Sequence, residues 1–138
     1  MPLIWDDSLK IGIPEIDQQH KQLIDQMNLL VEAMKNNKGQ DEIQKIINFL
    51  DLYVRQHFGF EEQCMHRYKC PIAQTNDQAH QQFIANYEEI KTEFANRGPS
   101  FVLVLQINQN LLDWFINHIR KIDTQLKPCM PASTQTFA

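Results

Sequence analysis

Cysteine is scarce in this chain, and its three thiols are an odd number: Cys64, Cys70 and Cys129. None of them stands in the CxxC spacing that is common at metal and redox sites. This pattern favours free thiols in a reducing compartment over a disulfide framework. The N-terminus, MPLIWDDSLK, also lacks the charged-then-apolar pattern of a signal peptide. We therefore predict a cytoplasmic location.

Long apolar runs and clusters of basic charge are missing as well. No stretch approaches the roughly 18 apolar residues that a membrane span needs, so no membrane partner is expected. The net charge is -4, with both signs mixed along the chain, and without a basic patch nucleic acid is a poor candidate partner. A chain of 138 residues can form one hydrophobic core, and we predict a single domain over residues 1–138.

Apolar residues recur instead at the i, i+3, i+4 and i+7 spacing of amphipathic helices. The pattern predicts four helices with short connections, at about residues 17–35, 41–67, 74–96 and from 100 to 119 or beyond. Asp17 is the predicted N-cap of the first helix. Residues 1–16 are expected to form an N-terminal arm, and residues 128–138 a mobile tail. The fold class is therefore all-α: an up-down-up-down antiparallel four-helix bundle with an N-terminal arm.

The second predicted helix places a histidine and a carboxylate inside the bundle. His57 and Glu61 are one turn apart and share a face with the apolar residues Leu50 and Val54. A buried charge is costly unless it is paired or binds a metal, so this pair is either a hydrogen-bonded core pair or part of a metal site. Gly59 in the same helix costs about 1 kcal/mol relative to alanine, and we attribute it to close packing against a neighbour.

Each of the four helices carries one histidine on its apolar stripe. A single such histidine is most often a satisfied core residue, but one on every helix is harder to explain in that way. In an antiparallel bundle the starts of odd helices lie beside the ends of even ones. All four imidazoles then fall in the same half of the bundle: His20, His57, His80 and His118.

Two carboxylates, Glu61 and Asp123, can join these imidazoles. Imidazole nitrogen and carboxylate oxygen together suit iron, and could also hold zinc or manganese. Six candidate ligands suggest two metal ions bridged by the carboxylates. Asp123 lies about 140° around an ideal helix from His118, so the helix must loosen there, as in a π-type turn, or else Asp123 is solvated. His66 lies about 180° from His57 and is read as a surface residue.

The combined pattern resembles the hemerythrin family, specifically its single-domain bacteriohemerythrins. The resemblance implies a non-haem di-iron centre, bridged by an oxo or hydroxo group and two carboxylates, that binds dioxygen reversibly. Glu61 and Asp123 would be the bridges, and His20 and His57 would hold the iron with the open position. The oxygen pocket implied by the family comprises Leu23, Phe58, Trp114, Phe115 and Ile119. The resemblance rests on Trp5, Gly12-Ile13, Ile16-Asp17-Gln18-Gln19-His20-Lys21, His57-Phe58-x-x-Glu61-Glu62, Met65, Pro71, His80 and Trp114-x-x-x-His118-x-x-x-x-Asp123.

One position departs from the family's pattern. The family's third helix usually carries HxxxH, whereas here Asn76 stands four residues before His80. The second iron would then have two histidines, with the Asn76 carbonyl or a water in the remaining position. The expected function is an oxygen carrier, store or sensor rather than an enzyme. The alternatives are a di-iron enzyme acting on peroxide or nitric oxide, an iron-binding protein with a weakened or mononuclear site, and a bundle without metal.

Overall fold

The computed structural model describes residues 5–131. Residues 1–4 of the predicted arm and 132–138 of the predicted mobile tail lie outside this range. The first long helix, α1, spans Pro14–Lys35, and it is followed by α2 at Gln40–Arg67 and α3 at Ala73–Arg97. The helix boundaries agree with the sequence pattern to within about three residues.

The fourth helix of the bundle is continuous but changes its winding twice. It consists of α4 at Phe101–Ile107, a π-helical segment at Asn108–Asp113 and α5 at Trp114–Lys121. A 3-10 turn at Asp123–Gln125 and a single-turn helix, α6, at Leu126–Cys129 complete the described chain. Helix α1 packs against α2 and α4, and α3 packs against the same two. The predicted all-α four-helix bundle is confirmed.

The start of α1 differs from the prediction that Asp17 caps it. The helix begins three residues earlier with Pro14 in its first turn, a position that proline favours because it needs no backbone donor there. The Asp17 carboxylate instead accepts hydrogen bonds from the backbone N–H groups of Ile11, at 2.7 Å, and Gly12, at 3.2 Å. Asp17 thereby ties the arm to the first turns of α1.

The cysteine prediction is wrong for two of the three thiols. Cys70, in the connection between α2 and α3, forms a disulfide with Cys129 at the end of α6, with the Cα atoms 5.6 Å apart. Cys64 is free and buried. Sequence spacing gave no sign of this bond because it joins residues 59 positions apart. The prediction of a reducing compartment loses the support that it drew from free thiols.

The interpretation of Gly59 as a close-packing residue is also wrong. A Cβ atom built at this position would meet nothing within 4 Å. Gly59 lines a surface depression of about 340 Å³ between α2 and α3 that also reaches Phe58, Glu62 and His80.

Among the described residues, no helix combines the length and the hydropathy needed to cross a lipid bilayer.

Candidate metal centre

The four stripe histidines and two carboxylates converge in one half of the bundle. Each of these six residues is at most 4% exposed. Their ligand atoms form two groups, and within each group all lie within 4.8 Å of one another. Both groups contain Glu61 and Asp123. The first adds His20 and His57, and the second adds His80 and His118.

In the first cluster the imidazoles face one oxygen of each carboxylate. His20 Nε2 lies 3.3 Å from Glu61 Oε2 and 3.1 Å from Asp123 Oδ2. His57 Nε2 lies 3.4 Å from the same Glu61 oxygen. These helices deliver the side chains because α1 begins, and α2 ends, at this end of the bundle.

In the second cluster the imidazoles face the other two oxygens. His80 Nε2 lies 3.2 Å from Glu61 Oε1, and His118 Nε2 lies 3.1 Å from Asp123 Oδ1. The Nε2 atoms of His80 and His118 are 3.1 Å apart. Each carboxylate therefore turns one oxygen to each imidazole pair. This is the arrangement that a pair of carboxylate-bridged cations requires.

Asp123 reaches the centre through a break in the helix, but the break differs from the predicted π-type turn. Helix α5 ends at Lys121, Ile122 takes φ −114° and ψ −53°, and Asp123 opens a 3-10 turn. The π-helical segment lies earlier, at Asn108–Asp113. The alternative of a solvated Asp123 is wrong, because the residue is 0% exposed.

His66 takes no part in either cluster. Its side chain is 56% exposed and pairs with Asp77 at 2.6 Å. The prediction of a surface histidine is confirmed. His66 also lies on α2 with His57, which makes it a useful control position.

Several buried polar atoms of the centre lack hydrogen-bond partners. They are His20 Nδ1, His57 Nε2, Glu61 Oε1 and both Asp123 oxygens. Apart from His20 Nδ1, the nearest nitrogen–oxygen contacts of these atoms are 3.1–3.4 Å long, and they are not hydrogen bonds. Leaving such groups unsatisfied costs about 1–3 kcal/mol each. Unpaired lone pairs on nitrogen and carboxylate oxygen fit a divalent cation such as iron, zinc or manganese.

The protonation states show what replaces a cation in the metal-free protein. Burial lowers the pKa of His57 to about 3 although Glu61 is near, so this imidazole is neutral. Burial acts in the same direction on His20 and His118, but the adjacent Asp123 and Glu61 carboxylates outweigh it and raise both pKa values to about 9. Two protonated imidazoles therefore compensate the buried carboxylate charge at neutral pH.

Two ligand histidines are held from behind by polar side chains whose roles the sequence analysis missed. His57 Nδ1 lies 2.7 Å from Gln19 Oε1, and His80 Nδ1 lies 2.8 Å from Glu62 Oε2. Acceptors at Nδ1 keep the proton there and leave Nε2 as a lone pair directed at the cluster. Gln19 directly precedes His20, and Glu62 directly follows Glu61. A polar residue next to a candidate ligand, in a half-buried position, was the sequence feature that could have indicated these roles.

Aromatic rings cover the imidazoles. Phe58 stacks on His80 with centroids 3.8 Å apart, and Trp114 stacks on His118 at 4.7 Å. Phe115 meets His20 edge-on at 5.3 Å. Leu23 and Ile119, the other members of the expected oxygen pocket, are fully buried. The centre is thus surrounded by apolar and aromatic groups.

Asn76 lies inside the bundle, one turn before His80 on α3. It is 0% exposed, and neither Oδ1 nor Nδ2 has a hydrogen-bond partner. The structure therefore buries an amide group at the position where the chain departs from the HxxxH pattern.

Comparison with known proteins gives matches over nearly the whole chain. A family model described as the Hemerythrin HHE cation binding domain matches residues 11–130. The chain is 31% identical over 137 residues to a Bacteriohemerythrin of Stenotrophomonas maltophilia, which covers 99% of this chain and 86% of that protein. It is 32% identical over 121 residues to a Bacteriohemerythrin of Pseudomonas paraeruginosa, covering 88% and 76%. It is 24% identical over 126 residues to a Myohemerythrin of Sipunculus nudus, covering 91% and 92%.

Proposed function

The chain belongs to the hemerythrin family of non-haem iron proteins, and on that premise we propose that it holds two iron ions and binds dioxygen reversibly, as a carrier, store or sensor. One observation carries the proposal most directly. Glu61 and Asp123 each divide their two oxygens between two pairs of imidazoles. A single-ion site would not need both oxygens of both carboxylates.

The donor set divides into two equal halves. His20 and His57 would hold one iron, His80 and His118 the other, and the carboxylates of Glu61 and Asp123 would bridge them. When bound, the iron pair supplies reversible electron exchange with dioxygen. Each half offers two nitrogens and two oxygens from the protein, which leaves positions open for other ligands.

The surrounding side chains prepare these donors before any ion arrives. The hydrogen bonds of Gln19 to His57 and of Glu62 to His80 fix the ring orientations and present Nε2 as a lone pair. His20 and His118 are protonated at neutral pH in the metal-free protein because their pKa values are raised to about 9. They must release these protons when they bind a metal.

The apolar cover supports the proposal that oxygen binding is reversible. Phe115 packs on His20 and His57 and keeps water, and the protons that water would deliver, away from the half that would bind dioxygen. Phe58 and Trp114 stack on His80 and His118. Leu23 and Ile119 add buried apolar surface nearby. None of these five side chains carries a charge or a nucleophile that would act on a substrate, so we favour oxygen binding over catalysis.

The test is metal analysis of protein purified without oxygen, with optical spectra before air, in air and after return to argon. We expect two irons per chain and a visible charge-transfer band that appears in air and disappears under argon. The variant His57→Ala should lose iron, whereas the matched control His66→Ala on the same helix should keep it.

Other outcomes would reject the proposal. One iron or fewer per chain would indicate a mononuclear or storage site. Two irons with irreversible oxidation in air and turnover of peroxide would indicate a di-iron enzyme. Equal iron content in His57→Ala and His66→Ala would show that the centre lies elsewhere.

A further inference from the structure

One half of the centre carries a buried amide side chain, that of Asn76. Each half has two imidazoles and shares the same two carboxylates. Asn76 lies one helical turn before His80 and on the same face of α3, since i and i+4 side chains are neighbours. Its amide is 0% exposed with both polar atoms unpartnered. On the other half, the ring packed edge-on against His20 is the apolar Phe115.

A buried amide without partners is unfavourable unless something supplies them. A metal bound to Oδ1 would satisfy the oxygen and leave the two Nδ2 protons without an acceptor. A small ligand that both accepts and donates hydrogen bonds can satisfy both atoms. The unpartnered Nδ2 of Asn76 therefore favours a bound small ligand over direct coordination by the side chain.

We propose that Asn76 makes the His80–His118 half of the centre a second site for a small hydrogen-bonding ligand, water or hydroxide, which the anion azide can replace as an acceptor of the Nδ2 hydrogen bond. Nδ2 donates to the ligand's acceptor atom, and Oδ1 accepts from a ligand that carries a proton. This inference rests on the proposed function, because it requires iron in both halves. It gives the chain two ligand positions where the proposal for dioxygen needs one.

The surface relief of the bundle supports entry on this side. A depression of about 340 Å³ reaches His80 beside Phe58 and Glu62. A second depression of about 220 Å³ reaches His118 beside Trp114. Both openings lead to imidazoles of the half that contains Asn76.

The experiment counts azide molecules bound to the oxidised, iron-loaded protein by calorimetric titration, with the visible spectrum recorded in parallel. We expect two azides per pair of irons in the wild type. Asn76→Leu removes the hydrogen bonds and Asn76→His fills the position with an imidazole, so both should bind one. Asn86→Leu is the matched control, because Asn86 lies on the same helix and bonds to Gln82 at the surface. It should bind two.

A second measurement needs no iron. In the metal-free protein, Asn76→Leu removes an unsatisfied amide and should raise the melting temperature, whereas Asn86→Leu should not. A fall in the melting temperature of Asn76→Leu would show that the amide has partners, and would overturn the inference.

The outcomes separate this inference from the proposed function. Two irons with one azide in the wild type overturn the ligand site and leave the proposed function standing. Loss of one iron in Asn76→Leu makes Asn76 a metal ligand and overturns the inference as well. Fewer than two irons in the wild type reject the proposed function, and the second ligand site falls with it.

Discussion

The disulfide between Cys70 and Cys129 allows a quantitative prediction of stability. It closes a loop of 59 residues that contains α3, the fourth helix and the turn that carries Asp123. In the chain-entropy treatment, a crosslink of this span removes about 14 cal/mol/K from the unfolded ensemble, or about 4 kcal/mol at 25 °C. Measured values often fall below this figure because the unfolded state retains structure, so we expect about 2–4 kcal/mol.

The corresponding change in melting temperature is large enough to measure easily. For a chain of 138 residues the entropy of unfolding is about 290 cal/mol/K. The double variant Cys70→Ser/Cys129→Ser should therefore melt about 7–14 °C below the wild type. The assay is calorimetric melting of the metal-free protein, so that iron binding does not contribute to the difference.

A reductant provides the matched control. It should lower the melting temperature of the wild type and of Cys64→Ser, which keeps the crosslink, and leave the double variant unchanged. A wild type with three titratable thiols before reduction would mean that the bond does not form. One thiol before reduction, combined with a melting temperature that reduction does not change, would refute the loop-closure argument itself.

Three other predictions concern the centre and its surroundings. Iron loading at pH 7 should release about two protons per chain, because metal binding displaces protons from His20 and His118, whose pKa values are raised to about 9. Calorimetry in buffers of different ionisation enthalpy measures the number of protons released, and a release of none would contradict the prediction. The metal-free protein should be most stable near pH 6.5: the lowered pKa of His57, about 3, costs stability as pH falls below 6.5, and the stability provided by the raised pKa values of His20 and His118, about 9, is lost as pH rises from 6.5 to 9. Melting curves from pH 4 to 10 test the sign on each side. Gly59→Ala should stabilise the protein by about 0.5–1 kcal/mol, because a Cβ there meets open space and alanine is the better helix former; a loss of stability in urea unfolding would restore the close-packing interpretation.

Much of the fold could be predicted from the sequence because local patterns encode it. The apolar periodicity marked four helices, and short connections between them leave an antiparallel bundle as the simplest way to bury the stripes. The same periodicity placed His20, His57, His80 and His118 on the inner faces. Helix geometry also excluded His66 from the centre, and the structure agrees.

Details that depend on local backbone competition were harder to predict. Helix α1 begins at Pro14 and not after Asp17, because proline is favoured in the first turn of a helix. The Asp17 carboxylate accepts a hydrogen bond from a backbone N–H of the arm instead of capping the helix. The irregularity that admits Asp123 was required by angle, but its form as a 3-10 turn depends on how the chain leaves α5. Sequence spacing can demand a departure from the α-helix without specifying which one.

The sequence by itself determined the helices, their inward faces and five of the six buried groups that a metal centre could use, because each of these follows from periodicity within a segment. The burial of Asp123 was decided by the tertiary structure. Only the tertiary structure decided how Glu61 and Asp123 divide their oxygens between two imidazole pairs. It also paired Cys70 with Cys129 and left the Asn76 amide without partners. These features depend on distances between segments that are far apart in the chain, and such distances are set only when the helices have packed.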